Sequence, residues 1–208
     1  MIKMLEEAEY VIELEKDRTL LIEGEAKFTI IEGKVEVFGY TLSEGMNGTV
    51  DLYKTIPIYS LVNSRIKVIG GKTWVKKGCS IPHSWFEVVK YAHTNRRRII
   101  MVIGGVDTGK TGFVTYLANK LIDLGEKVAI IDADTGQSDI GPPTTIGLGI
   151  LEDPITNISK VKPAALLFIG LTSPAGLFHR SITSIKELVE KAKEEGCTYI
   201  IIDTTGWV

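Results

Sequence analysis

The sequence predicts an α/β protein: a parallel sheet with helices on both faces, preceded by a small all-β sandwich domain. Three observations predict it. The first third carries short runs of period two, Tyr10-Ile12-Leu14, Leu20-Ile22, Phe28-Ile30 and Val35-Val37, the pattern of antiparallel strands with one buried face. Gly24, Gly33, Gly45, Asn47-Gly48 and Gly70-Gly71 fall between them as turn residues, at spacings that suit a small sandwich or barrel. The C-terminal half alternates strands that are apolar almost throughout with helical stretches, as a parallel sheet covered on both faces requires.

In chain order, residues 1–80 read as the β-sandwich domain and 81–97 as a helical linker. Within the linker, residues 84–94 form the helix, with Ser84 as N-cap and Glu87 three residues on closing a capping box. Residues 98–208 read as the nucleotide-binding domain, with strands at 98–103, 128–132, 165–169 and 199–203 and helices at 110–124 and 181–195. The chain stops at Val208, just past a strand end where such a domain ordinarily continues, so this domain is expected to be C-terminally incomplete.

The bulk composition excludes several classes. At 208 residues with 44% hydrophobic and 24% charged residues, the chain suits two unequal globular domains. No apolar run approaches the roughly 20 residues of a membrane span, and the acidic, alternating N-terminus lacks the form of a secretory signal. A cytoplasmic protein is expected. Cys79 and Cys197, the only cysteines, have no disulfide or zinc spacing and read as inert packing thiols. A net charge of −2 gives no general attraction to nucleic acid, so such binding must come from a local site. Lysine and glutamate abound while Gln137 is the sole glutamine, a bias that fits a heat-adapted source.

The chemistry starts at Gly104-Gly105-Val106-Asp107-Thr108-Gly109-Lys110-Thr111, a GxxxxGK[ST] motif between an apolar strand and a helix that opens through Gly112. Glycines let successive backbone amides turn inward on phosphate oxygens, and the helix adds its positive end. Lys110 reaches the β- and γ-phosphates of ATP, and the Thr111 hydroxyl serves Mg²⁺. This makes the C-terminal domain a P-loop NTPase. The stretch Asp132-Ala133-Asp134-Thr135-Gly136-Gln137 leaves the next strand at the same carboxyl edge. A carboxylate there can hold the metal's water shell or take a proton from an attacking hydroxyl, and Gln137 can orient the nucleophile or the carboxylate. Asp134 is the first choice for both the base and a metal-side ligand. Asp132 and Asp139 stay open between the site and plain turn-capping.

Two more loops are expected at that edge: Leu171-Thr172-Ser173-Pro174-Ala175-Gly176 and Asp203-Thr204-Thr205-Gly206-Trp207. Trp207 has two readings, a platform for a base or a side chain packed under further polypeptide. Arg96-Arg97-Arg98 begins the strand whose far end carries Gly104, so it lies at the wrong edge for this site. His179-Arg180 is better placed to meet a phosphate backbone, with a surface pair at a helix start as the equal alternative. His83 and His93 lack metal-ligand spacing.

Together these motifs resemble the polynucleotide 5′-hydroxyl kinases, which include the kinase subunit of the pre-mRNA cleavage complex, the nucleolar pre-rRNA kinase and archaeal RNA kinases. The resemblance covers nearly the whole chain: the VEVFG segment at residues 35–39, the phosphate loop with Asp107, DADTGQ, TSPAG and the terminal TTGW. It implies that Lys110 and Thr111 bind ATP and Mg²⁺ and that Asp134 with Gln137 activates a 5′-hydroxyl. It also implies that Thr204 and Trp207 clasp the terminal nucleotides of the substrate, beside the Thr172-Ser173 loop. The implied reaction is γ-phosphoryl transfer from ATP to 5′-OH ends of RNA, with DNA ends as a second candidate and RNA-processing proteins as candidate partners. In that family an arginine-bearing lid lies beyond the clasp, and this sequence has none, which predicts poor turnover. Two alternatives stand beside the kinase: a non-catalytic ATP-binding scaffold of an RNA-processing complex, and a regulatory or metal-insertion NTPase for which Asp203-Thr204-Thr205-Gly206 would serve as a DxxG motif.

Overall fold

The structure is a computed structural model that describes residues 8–173 and 176–206. The chain forms two compact units, Met1–Pro82 and His83–Val208.

The first unit is one antiparallel sheet of β1 (Glu9–Leu14), β2 (Arg18–Glu32), β3 (Lys34–Val37), β4 (Tyr40–Ser43), β5 (Asn47–Val50), β6 (Thr55–Ser60) and β7 (Ser64–Lys77). The strand order is β1-β7-β2-β6-β3-β4, with β5 also on β2. The period-two positions do what the alternation predicts. Leu20, Ile22, Phe28 and Ile30 of β2 share one buried face with Val35, Val37, Ile58, Ile66 and Val68.

Several glycines expected in turns lie inside strands instead. Gly24 is within β2 and Gly70-Gly71 within β7, where the register shifts between Glu23 and Ala26 and all three have positive φ. A Cβ on Gly70 would sit 2.8 Å from the Glu25 carbonyl oxygen, so the site is a bulge that only glycine fills. Bulges and turns ask for the same backbone freedom, which is why the sequence did not separate them. The bulge lies in the two longest strands, β2 and β7, which pair with each other on both sides of it. Asn47-Gly48, also expected as a turn, opens β5, where a Cβ on Gly48 would strike the Phe28 ring. A two-residue loop does occur at Phe38 (φ 44) and Gly39 (φ 79) between β3 and β4, the backbone form that suits a tight hairpin.

The second unit contains α1 (His83–Thr94), β8 (Ile99–Val102), α2 (Lys110–Asp123), β9 (Val128–Asp132), β10 (Thr145–Leu151), β11 (Pro163–Phe168), α3 (Phe178–Glu194) and β12 (Tyr199–Asp203). The sheet order is β11-β10-β9-β12-β8. It is mixed, not wholly parallel: β8, β12 and β9 run together, and β10 runs against both its neighbours. β10 itself is unforeseen, because Gly147 and Gly149 interrupt its apolar run. They are required there, since a Cβ on either would collide with the Ile140 carbonyl or the Val161 side chain. As β10 reverses, β11 points the same way as β9 and ends at the same rim.

Helices cover both faces. Ala129, Ile131, Ile200 and Ile202 pack with Leu188, Val189 and Ala192 of α3. On the other face the Tyr199 hydroxyl donates to the Ala92 carbonyl of α1 at 3.3 Å. Trp85 of α1 sets its ring 5.2 Å from Phe113 and 5.6 Å from Tyr116 of α2. The helix expected as a linker is thus packed into the second unit, and it begins at His83, which places Ser84 inside its first turn. No helix among the described residues is long and apolar enough to cross a membrane.

Candidate nucleotide and acceptor site

Three parallel strands deliver their ends to one rim. β8 leads into the phosphate loop, β12 ends at Asp203 and β9 at Asp132, with Asp203 directly opposite Asp132 in register and opposite Val102 on the other side. The loop itself needs unusual backbone: Asp107 has φ 57 and Gly109 φ 85, and Gly109 sits as N-cap of α2 with no side-chain cap. The first amides of α2 therefore carry no side-chain acceptor. Thr108 Oγ1 donates to the Gly105 carbonyl at 2.9 Å, and Lys110 Nζ donates to the same oxygen at 2.8 Å. Gly104, Val106 and Gly112 complete the expected stretch, with Val106 64% exposed.

The Thr111 hydroxyl donates to Asp203 Oδ2 at 2.9 Å. Asp203 is 6% exposed, and its second oxygen, Oδ1, is buried without a hydrogen-bond partner. Burial is the main force pushing its carboxyl up to about 6, with the Thr111 bond opposing and the Asp132 charge reinforcing. Such an orphaned buried oxygen calls for a ligand, and the residues fit a divalent cation held from Thr111 and Asp203. Among the described residues no group of three or more His, Cys, Asp or Glu could cage a metal.

The DADTGQ stretch is organised by Asp132. Its Oδ1 accepts the Asp134 amide at 3.1 Å, and its Oδ2 accepts the Ile140 amide at 2.8 Å, the Asp139 amide at 2.5 Å and the Ser138 hydroxyl at 3.1 Å. Burial raises its carboxyl above the ordinary range, and the three amides hold it down. Asp132 therefore fixes both ends of the loop that carries Asp134 and Gln137. Asp134 Oδ1 accepts the Gly136 and Gln137 amides, both at 3.0 Å, which leaves Oδ2 outside the turn.

The neighbouring loops close on these two. A Cβ on Gly136 would lie 2.8 Å from the Thr172 carbonyl oxygen, and one on Gly206 would lie 2.8 Å from the Val106 amide nitrogen. Thr172 and Ser173 thus border the DADTGQ loop, and the stretch after β12 lies against the phosphate loop. Thr204 donates its hydroxyl to the Val102 carbonyl at 2.7 Å, so its side chain is engaged at the base of that loop. Trp207, Pro174 and Ala175 lie outside the described residues. At the opposite end of β8, Arg98 bonds the Thr198 carbonyl at 3.3 Å, pairs with Glu126 and stacks on Tyr199. The arginine run is a junction away from the rim. Cys79, expected as a packing thiol, is exposed.

A family model described as the mRNA cleavage and polyadenylation factor CLP1 P-loop matches residues 104–208. The chain belongs to this family. A polyribonucleotide 5′-hydroxyl-kinase of Methanocaldococcus jannaschii is 42% identical over 129 residues, covering 62% of this chain and 36% of the relative. The enzyme of that name from Pyrococcus furiosus is 46% identical over 109 residues, covering 52% of this chain and 30% of the relative. A CLP1 homolog of Arabidopsis thaliana is 26% identical over 229 residues, which span 95% of this chain and 53% of the relative. The chain thus matches between about a third and a half of the length of these CLP1-family relatives. The solved Clp1p–Pcf11p complex superposes with a TM-score of 0.73 at 16% identity, covering 96% of this chain and 55% of that one; at that identity it shows the fold.

Two residues of the site were not assigned from sequence. Asp203 was visible only as a DxxG look-alike; the signal was its position as the last residue of an apolar strand, where a P-loop protein holds a metal-side acid. Asp132 shares that signal, but its four-fold bonding is a property of the folded loop.

Proposed function

We propose that this protein is an ATP-dependent polynucleotide 5′-hydroxyl kinase that transfers the γ-phosphate of ATP to 5′-OH ends of RNA, with DNA ends as a second acceptor class. One observation carries the reading. The phosphate loop, the Thr111–Asp203 pair and the Asp134 loop end three adjacent parallel strands at one rim, so the first and last are about 10 Å apart, two strand spacings. That is room for a triphosphate over β12 and an acceptor over β9. Membership of the CLP1 P-loop family and the similarity to archaeal polyribonucleotide 5′-hydroxyl-kinases support the same assignment.

In this reading the loop amides of residues 104–109 and the start of α2 receive the β- and γ-phosphates, and Lys110 leaves the Gly105 carbonyl for them. Thr111 and Asp203 would hold Mg²⁺, which when bound neutralises charge building on the transferred phosphoryl group. Asp134 Oδ2 takes the proton of the 5′-hydroxyl as its oxygen forms a bond to the γ-phosphorus. The bond from that phosphorus to the bridging oxygen breaks, and ADP leaves. Gln137, held by its amide to Asp134, orients the acceptor, with Thr172, Ser173, Thr204 and Trp207 as its further contacts. The division into an N-terminal β domain and a P-loop kinase domain, the cytoplasmic location and RNA-processing partners belong to this proposal.

The test uses the full chain with ATP, Mg²⁺ and a 5′-OH oligoribonucleotide. Asp134→Ala is expected to lower transfer by about 10²- to 10⁴-fold with ATP affinity kept. Equal transfer by both removes Asp134 as the base. ATP binding by the wild type without transfer to any nucleic acid favours a scaffold, and competition by GTP as strong as by ATP favours a regulatory NTPase.

A further inference from the structure

Phe168 is the last residue of β11 at the rim, paired with Thr145, while two residues earlier Leu166 pairs with Gly147, which pairs with Asp132 on its other side. Register partners share a sheet face, so Leu166 and Phe168 lie on the face of Asp132, about 10 Å away across two strand spacings. Phe168 stands two residues further toward the rim, at the level where the chain has already left β9 for the Asp134 loop. Phe168 is 62% exposed. Arg180, exposed in the first turn of α3, holds its guanidinium 5.8 Å from the ring centroid, and among the described residues no carboxylate pairs with it. From Phe168 the chain runs through the exposed Leu171 to Thr172, whose carbonyl abuts Gly136. The platform is therefore continuous with the loop assigned to the acceptor.

The exposed ring offers a flat apolar face at the strand end, and the guanidinium beside it offers a positive charge and several N–H donors. Together they match single-stranded nucleic acid, which presents a flat base and a negative phosphate at every residue. We propose that Phe168 and Arg180 form a stacking platform for a base of single-stranded RNA on the 3′ side of the acceptor nucleotide, Phe168 taking the base and Arg180 the adjoining phosphate. The direction of the strand rests on the kinase reading above; the binding does not. The consequence is a site that favours several unpaired nucleotides over a lone terminal one.

The experiment measures anisotropy of a 3′-labelled 5′-OH octaribonucleotide with the full chain, and in parallel an NMR titration with a nucleoside 3′-monophosphate. Phe168→Ala is expected to weaken the octamer about 5- to 100-fold while leaving the mononucleotide unchanged, and Phe168→Trp to retain wild-type binding. Arg180→Ala weakens the octamer and reduces the slope of log affinity against log salt by about 0.7. Wild-type octamer affinity in Phe168→Ala overturns the proposal and leaves the surface to a protein partner. Equal loss for octamer and mononucleotide, or no octamer binding by the wild type, overturns it too. Octamer binding lost on Phe168→Ala in a protein that transfers no phosphate keeps the platform and rejects the kinase.

Discussion

The two sheets bury different kinds of polar group, and the difference locates the chemistry. In the first unit the buried polar residues are the hydroxyls Thr19, Ser60 and Ser64, each bonded to a backbone carbonyl: Gly78 for Thr19, Leu14 for Ser60 and Val62 for Ser64. Among the described residues that core carries no charge. In the second unit two acids, Asp132 and Asp203, face each other on neighbouring strands, and burial raises the carboxyl of each. A fold built for stability alone would not place carboxylates side by side in a dry sheet. The first unit is held by packing; the second gives up stability where the proposed site lies.

The sharpest way to break that contrast acts on the packed side. Phe28 is 1% exposed and lies against the backbone of Gly48; Phe28→Ala is expected to destabilise the first unit by about 3–5 kcal/mol. Hydrogen exchange of β2 and β7 peptides reads it, and protection equal to wild type would show that this core is not the source of the unit's stability. On the charged side the sign reverses. With Asp203 pushed up to about 6 in the folded protein, the folded state between about pH 4 and 6 keeps a proton that the unfolded chain has released, so stability falls as pH rises and the full penalty stands above 6. Asp203→Asn, measured by urea melts in EDTA, is expected to be more stable than wild type at pH 7.5 by up to about 3 kcal/mol and no different at pH 4. A variant less stable than wild type at pH 7.5 would mean the acid is stabilising. The smallest effect is an exposed pair in the first unit, where Tyr59 donates to Asp17 at 2.7 Å and that bond is the main reason its hydroxyl is raised to about 12. Tyr59→Phe should cost under about 1 kcal/mol at neutral pH; a larger loss in a melt would show that a polar contact carries weight in the unit described here as held by packing.

The legible parts of the sequence were those where one residue type answers one physical demand. Alternation at Leu20, Ile22, Phe28 and Ile30 marks a half-buried strand, and the glycines and lysine of residues 104–111 mark a phosphate cradle. Glycine was ambiguous where its reason was tertiary. Gly70-Gly71 read as a turn and is a bulge, and Gly147 and Gly149 hid β10 because their need is set by Ile140 and Val161. In the candidate site, Lys110, Thr111 and Asp134 stand out in the sequence through motif and position. Asp203 is marked out by its bond from Thr111, 92 positions away, and Phe168 by the Arg180 guanidinium beside it, contacts that only the fold creates.

The reversed strand β10 has one further effect. Because it carries the chain away from the rim and β11 brings it back, the connection between them, around Ile158–Lys160, hangs from the far edge, where Asn119 ties it down through both hydrogen bonds with Ile155. Beyond that anchor, a fluorophore or an affinity peptide spliced in near Lys160 would ride at the end of the sheet opposite the phosphate loop.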